Sequence, residues 1–136
     1  IDYAGSRILL PGDIEAPAEA ALISANRLGK ADLVLLPHHG SLTSSTPDFV
    51  AAVAPRFAVA SVAWRNRWGF PKSRVVARWR DAGACVLSTG DTGALRFIAG
   101  SAGLRLVRVW RERHWWQQWV WLAQDRASSK PAKQCL

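Results

Sequence analysis

The chain has 136 residues, of which 49% are hydrophobic and 21% are charged, and its formal net charge is +8. This length suits one domain or part of one, and the hydrophobic fraction can bury a core, which excludes a wholly disordered chain. The positive charge favours nucleic acid or anionic lipid as a partner, although a merely soluble basic surface explains it equally well.

The start of the chain reads IDYAGSRILLPGD, with neither an initiating methionine nor a signal-peptide pattern. We therefore expect that an upstream part of the protein is missing. No later run reaches the roughly 20 apolar residues that a membrane span requires.

Six short runs predict strands, at residues 7–10, 33–36, 57–62, 85–88, 94–98 and 104–110. The first three are apolar and end at Pro, Gly or polar residues, which is typical of buried strands. The last alternates apolar and basic residues, so one of its faces is expected to be buried and the other positive.

Three helical patterns separate the early strands. The first covers residues 16–29, with Pro17 suited to its first turn and Gly29 as its stop. A short helix follows Thr46, which is a typical cap before Pro47. Residues 72–83 form an amphipathic helical pattern, and we expect its inner face to carry Val75, Val76 and Trp79. Alternating strands and helices predict an α/β layered fold with a largely buried sheet.

The segment from residue 109 to 126 holds five of the eight tryptophans. It either continues the last strand or forms an amphipathic helix. Tryptophan beside arginine and glutamine suits contact with a membrane surface, docking against another domain, or packing over the sheet. We assign residues 1–126 to the domain and expect residues 127–136 to be a disordered tail.

Three unusual stretches follow the first three predicted strands: PGD at residues 11–13, PHHGS at 37–41 and WRNRWGFP at 64–71. In an open α/β sheet, ligands gather beyond the carboxyl ends of the strands. Carboxylate and imidazole suit zinc or manganese, so Asp13, His38 and His39 predict a site that polarises a phosphate and lowers the pKa of a bound water.

Plainer readings exist for each of these residues. Asp13 alone could cap the following helix, and His38 and His39 could bond to backbone carbonyls. A histidine pair at a strand end before Gly40 favours a site. Phosphate contacts are expected from the residues that follow, namely Ser41, Thr43 and Ser44.

A basic and aromatic surface is expected beside the site. Its predicted DNA-binding members are Arg65, Asn66, Arg67, Trp68, Lys72 and Arg74. The arginines would neutralise phosphates, although they could also be merely solvated, and Asn66 could only stabilise a turn. Trp64 and Trp68 either stack on unpaired bases or pack in the core, whereas Trp79 is expected in the core.

The stretches LLPGDIEAPAEAAL, ADLVLLPHHGSLTSSTPDFVAAVAPRFAVASV, NRWGFP and TGALRF resemble the C-terminal half of a metallo-β-lactamase-fold domain. More narrowly, the chain resembles the C-terminal domain of the competence DNA-uptake channel proteins, the ComEC family. The resemblance covers residues 3–98. GDIE together with PHHGS and TSS at this spacing is its most specific part.

The resemblance implies an αββα sandwich, of which this chain is the C-terminal half, and a hydrolase site for one or two divalent ions, manganese or zinc. It implies that Asp13 is a bridging ligand and that His38 or His39 is the next ligand. Between these we favour His38, with His39 as a partner of the ligands or a phosphate contact.

The implied function is a DNA nuclease domain of a natural-transformation channel, which degrades the strand that is not imported. Single-stranded DNA and the membrane channel domain of the same protein would be its partners. The implied location is the inner membrane, with the domain on its periplasmic face. The alternative is a catalytically inactive, basic module that guides DNA. A weaker third reading is a hydrolase of another phosphate or ester.

Three departures from the family pattern affect this expectation. Many relatives carry a histidine at the position of Phe70 and an aspartate at the position of Gly90, with Asp91 one place further along. The family's histidine- and aspartate-rich motif precedes the first strand and is not in these residues. We therefore expect a partial site and no activity of this chain by itself.

Overall fold

A computed structural model describes residues 1–110 of the chain. The strands are β1 Asp2–Tyr3, β2 Ser6–Leu9, β3 Leu33–Leu35, β4 Phe57–Ala60, β5 Cys85–Ser88, β6 Ala94–Gly100 and β7 Gly103–Trp110. The helices are α1 Ala16–Ser24, α2 Pro47–Val53, α3 Ser73–Asp81 and the single turn α4 Thr89–Thr92. A tight turn at Pro37–Gly40 follows β3.

Five strands form one sheet in the order β1-β2-β3-β4-β5. β1 is antiparallel to β2, and β2 to β5 are parallel, with Leu33 paired to Ile8 on one side and to Phe57 on the other. Because parallel strands end at the same edge of a sheet, the loops after β2, β3, β4 and β5 all begin at that edge.

The two faces of the sheet bury different partners. Val34, Ala58 and Val86 belong to a core shared with α2 and α3, including the fully buried Trp79. Their neighbours along the strands face the other way and pack against the antiparallel pair β6–β7, through Leu33, Phe57, Leu87, Leu95, Phe97 and Leu104. Period-two alternation thus places helices on one face and a hairpin on the other.

The structure confirms the predicted α/β architecture and most of the predicted elements. Thr46 caps α2, where its Oγ1 accepts a hydrogen bond from Phe49 N at 3.3 Å. The burial of Val75 and Trp79 confirms the inner face of α3. On β7, Leu104 is buried and Arg105 is exposed, as the alternation predicts.

The prediction that α1 extends to Gly29 is wrong. The helix ends at Ser24, and Asn26 adopts a left-handed conformation with φ 51°. Its N–H donates to the carbonyl of Ile23, and Arg27 N–H donates to Leu22. Asparagine tolerates this conformation and therefore ends the helix before the glycine is reached.

Within residues 1–110, no helix is long and apolar enough to cross a membrane. The tryptophan-rich segment beyond residue 110 and the predicted tail at 127–136 lie outside the described residues.

Candidate functional site

A cavity of about 420 Å³ opens at the carboxyl edge of the parallel strands. Its walls come from the three loops that the sequence analysis identified, after β2, β3 and β4. The lining residues are Asp13, His38, His39, Ser61, Val62, Asn66, Trp68 and Phe70. The tertiary structure therefore brings together all three predicted metal ligands.

The histidine turn has an unusual backbone. His38 and His39 both have positive φ, 47° and 57°, and Gly40 follows at 83°. Non-glycine residues rarely adopt this left-handed region, and such strain is often concentrated at functional sites. The turn is held from two sides, because His38 N–H donates to Gly12 O at 3.1 Å and Lys72 N–H donates to Gly40 O at 3.0 Å.

Glycine is required at position 40 for a second reason. A Cβ there would lie 2.6 Å from the Cβ of Pro71. The close approach presses the histidine turn against the loop after β4 and joins two walls of the cavity.

His39 is oriented by a backbone carbonyl and lies beside Asp13. Its Nδ1 lies 2.8 Å from the carbonyl oxygen of Ser61, and its Nε2 lies 3.7 Å from Oδ1 of Asp13. A carbonyl oxygen can only accept, so Nδ1 carries the hydrogen and Nε2 of the neutral ring keeps its lone pair beside the carboxylate. This is the arrangement by which a backbone carbonyl orients a metal-binding imidazole.

His38 has a different partner. Its Nδ1 lies 3.0 Å from Oε1 of Glu15, and the same oxygen accepts a hydrogen bond from Thr43 Oγ1 at 2.8 Å. The ring also lies edge-on to Phe70, with centroids 6.0 Å apart. Sequence reasoning did not select Glu15, although its position in GDIE, two residues after Asp13, was a usable signal.

The hydroxyl-rich loop is anchored by a second unpredicted carboxylate. Glu19 is fully buried, and its oxygens accept hydrogen bonds from Ser45 N at 2.6 Å, Thr46 N at 2.8 Å and Thr46 Oγ1 at 2.7 Å. Glu15 immediately precedes α1, and Glu19 lies in its first turn. Helix α1 therefore holds the loop at two points.

The predicted phosphate contacts in this loop occupy different settings. Ser44 is buried and donates to Pro37 O at 2.8 Å, so its hydroxyl supports the loop from within. Ser41 is buried with its Oγ 3.0 Å from Thr43 Oγ1. Thr43 is exposed.

The loop after β4 is organised by Asn66. Its amide donates to Phe70 O at 2.7 Å, and its Oδ1 accepts from Phe70 N at 2.9 Å. The Phe70–Pro71 peptide bond is cis. The side chain of Asn66 is thus engaged in shaping the cavity wall.

Exposed basic and aromatic groups surround this loop. Trp68 is 57% exposed, with the guanidinium of Arg67 4.4 Å from its ring centroid. Arg65 lies over the half-buried Trp64 in the same way, at 4.8 Å. Lys72 donates to Trp68 O at 2.6 Å. Arg74 is exposed at the start of α3.

The loop after β5 does not reach the cavity. Gly90 is buried, and a Cβ there would meet the carbonyl oxygen of Ala63 at 3.0 Å. Asp91 lines a neighbouring cavity of about 540 Å³, which also borders Arg65 and Phe70. Asp91 therefore does not lie with Asp13 in this structure.

The donor set fits a divalent ion in part. Asp13 and His39 supply one carboxylate and one imidazole at a shared point, with His38 on the same cavity wall. In the described part of the chain, no group of three or more His, Cys, Asp or Glu side chains is arranged to hold a metal ion. Structural and catalytic zinc sites use at least three protein ligands.

Comparison with known proteins identifies relatives of this chain. It is 34% identical over 117 residues to "Competence protein ComA" of Neisseria gonorrhoeae, which covers 84% of this chain and 17% of that protein. It is 35% identical over 96 residues to "Recombination protein 2" of Haemophilus influenzae, 71% of this chain and 12% of that protein.

The chain is homologous to a segment of competence proteins. It is also 33% identical over 129 residues to "Uncharacterized protein YcaI" of Escherichia coli, 92% of this chain and 17% of that protein. The homologues named for competence and recombination support the resemblance to the ComEC family. No protein-family model matches the chain. The chain spans less than a fifth of the length of each of these three relatives.

Proposed function

We propose that this chain is part of a ComEC-type DNA-uptake protein and contributes one side of a metal-dependent site that hydrolyses phosphodiester bonds of the strand that is not imported. Homologues named for competence and recombination support the setting. The layering of helices, parallel sheet and hairpin is compatible with half of an αββα metallo-β-lactamase sandwich. The net charge of +8 suits a nucleic-acid partner.

The observation that carries the metal site is the placement of His39 between Ser61 O and Asp13. The carbonyl of Ser61 fixes the hydrogen of the neutral His39 ring on Nδ1. The carboxylate of Asp13 lies near Nε2, which then carries the lone pair. This geometry favours His39, rather than His38, as the imidazole that shares a cation with Asp13. A divalent ion bound there would polarise a phosphodiester and lower the pKa of a water molecule.

The residues of this chain then have distinct tasks. Asp13 and His39 hold the cation, manganese or zinc, while the rest of the ligand set comes from elsewhere. Arg65, Arg67 and Arg74 neutralise the phosphates of a DNA strand beside the cavity. Trp68 presents an exposed ring on which an unpaired base can stack, which favours single-stranded DNA.

The further partners that we propose come from the family resemblance. They are the membrane channel domain of the same protein and, for the tryptophan-rich segment, the membrane surface. The corresponding location is the periplasmic face of the inner membrane.

A second candidate function is a basic DNA-guiding module without catalysis. Phe70 motivates it, because this ring lines the same cavity as Asp13 and His39, close to His38. An apolar ring supplies no ligand, and it occupies a wall that a third ligand would need.

The experiment uses the protein as its gene encodes it, incubated with end-labelled single-stranded DNA and manganese. We expect metal-dependent degradation that Asp13→Ala and His39→Ala each abolish. Asp81→Ala is the matched control, because it removes an exposed carboxylate at the end of α3, away from the cavity. DNA that is bound but stays intact would reject the nuclease and favour the guiding module.

A further inference from the structure

The start of α1 and the loop after β3 are joined at a single carboxylate oxygen. Oε1 of Glu15 lies 3.0 Å from His38 Nδ1 and 2.8 Å from Thr43 Oγ1. Thr43 also accepts at its backbone, since Ala16 N–H donates to Thr43 O at 2.9 Å. A main-chain bond thus fixes the distance between the two segments, and the Glu15 side chain links them a second time.

The chemistry of the three groups determines where the protons lie. An ionised carboxylate only accepts hydrogen bonds, so both Thr43 Oγ1 and His38 Nδ1 must donate to it. Thr43 Oγ1 is itself 3.4 Å from His38 Nδ1, but its single proton is already directed to Glu15. Glu15, not Thr43, is therefore the group that selects the hydrogen position on His38.

We propose that Glu15 is a positioning residue for His38: its carboxylate holds the neutral imidazole as the Nδ1–H tautomer and so keeps Nε2 unprotonated in the cavity. The ring is two-thirds buried and contacts Phe70 on one side, which limits its reorientation. His39 has the same tautomer from a different acceptor, the Ser61 carbonyl. Both adjacent histidines thereby present the same ring nitrogen.

The consequence is that two neighbouring imidazoles that line one cavity each keep an electron pair at Nε2. Carboxylates and carbonyls that bond to the far nitrogen of an imidazole fix its orientation and raise its basicity. The use of His38 Nε2 as a second metal ligand or as a proton acceptor rests on the proposed function. The tautomer itself does not rest on it, because it follows from contacts within this chain.

The test is ¹⁵N-detected NMR of the full 136-residue chain with labelled histidine, at about pH 8, where an unperturbed imidazole is neutral. We expect the His38 spectrum to show a protonated Nδ1 and an unprotonated Nε2. In Glu15→Ala the two nitrogen shifts should move towards each other as the tautomers mix. Glu15→Gln should restore the original pattern, because its amide oxygen can accept the same bond.

Thr43→Val is the matched control, because it removes the Thr43 hydroxyl, the other group near His38 Nδ1, and leaves the Glu15 carboxylate in place. Its His38 tautomer should be unchanged. A wild-type His38 that is protonated at Nε2 would overturn the proposal without any variant, so a variant that fails to fold does not block the test. A Glu15→Ala chain that stays folded and keeps the wild-type shifts would overturn it as well. Loss of nuclease activity plays no part in either outcome.

Discussion

Nε2 of His39 lies 3.7 Å from Oδ1 of Asp13, across the gap between the ends of β3 and β2. The two side chains come from positions 26 residues apart and meet because their strands are parallel neighbours in the sheet. This distance is too long for a good hydrogen bond. Both side chains are exposed, so both are accessible to a cation that they could share. Much of the proposed chemistry depends on this pair.

The first prediction concerns metal binding by Asp13 and His39. If they hold one cation, Asp13→Ala and His39→Ala should each lower manganese or zinc affinity on the order of 10–100-fold or more. The double variant should be little worse than either single one, because residues that act as a unit are not additive. Titration calorimetry on the protein as its gene encodes it measures the metal affinities of the two single variants and the double variant.

Asp81→Ala should leave the metal affinity unchanged. Additive losses in the double variant would show that Asp13 and His39 do not bind the same ion, and an unaltered affinity in both singles would reject the site.

The second prediction is a gain of affinity at Phe70. Its ring lines the cavity beside His38, so Phe70→His adds an imidazole to the donors already there. We expect zinc to bind at least about tenfold more tightly, which corresponds to about 1.4 kcal/mol. Phe70→Leu keeps an apolar side chain and should show no gain. Equal affinities of the histidine and leucine variants would mean that position 70 cannot reach the ion.

The third prediction concerns phosphate contacts by Arg65 and Arg67, which are both exposed beside the cavity. Each phosphate contact contributes about 0.7 to the slope of log K against log salt for single strands, so Arg65→Gln with Arg67→Gln should lower the slope by about 1.4. Fluorescence anisotropy with a labelled oligonucleotide over a salt series gives this value.

The matched control for charge removes Arg27 and Lys30, two exposed basic residues between α1 and β3. Arg27→Gln with Lys30→Gln has the same net charge as the test variant. If both pairs lower the slope equally, DNA senses the net charge of the chain and not a local surface.

The fourth prediction concerns the stability of the histidine turn. Gly40→Ala must place a Cβ 2.6 Å from the Cβ of Pro71 at a φ of 83°. Left-handed strain costs about 1–2 kcal/mol and overpacking about 1–3 kcal/mol. We expect the free energy of unfolding to fall by about 2–5 kcal/mol in urea denaturation.

Gly83→Ala separates the two costs. Gly83 has a similar φ of 88°, and a Cβ there would meet nothing within 4 Å. This variant should lose only the conformational part, about 1–2 kcal/mol. Equal losses at positions 40 and 83 would contradict the steric contribution of Pro71.

Local patterns in the sequence were sufficient to predict most of the helices and strands. Alternation and apolar runs predicted β2 to β7, because burial on a pleated strand leaves a period of two. Thr46 before Pro47 predicted a capped helix, and the hydrophobic face of α3 predicted the burial of Trp79. The end of α1 was missed because Asn26 and Gly29 both tolerate left-handed backbone, and local chemistry does not decide which one does so.

The candidate site was likewise predictable from the sequence only in part. The sequence alone determined the residue types at the strand ends, since Asp13, His38 and His39 follow strands that hydrophobic periodicity identifies. Only the tertiary structure decided which carboxylate meets which imidazole: Asp13 lies beside His39, and Glu15 bonds to His38. That choice depends on the left-handed turn at His38–Gly40, which is imposed by contacts with Gly12, Pro71 and Lys72. Such contacts join distant parts of the chain, and no local sequence pattern encodes them.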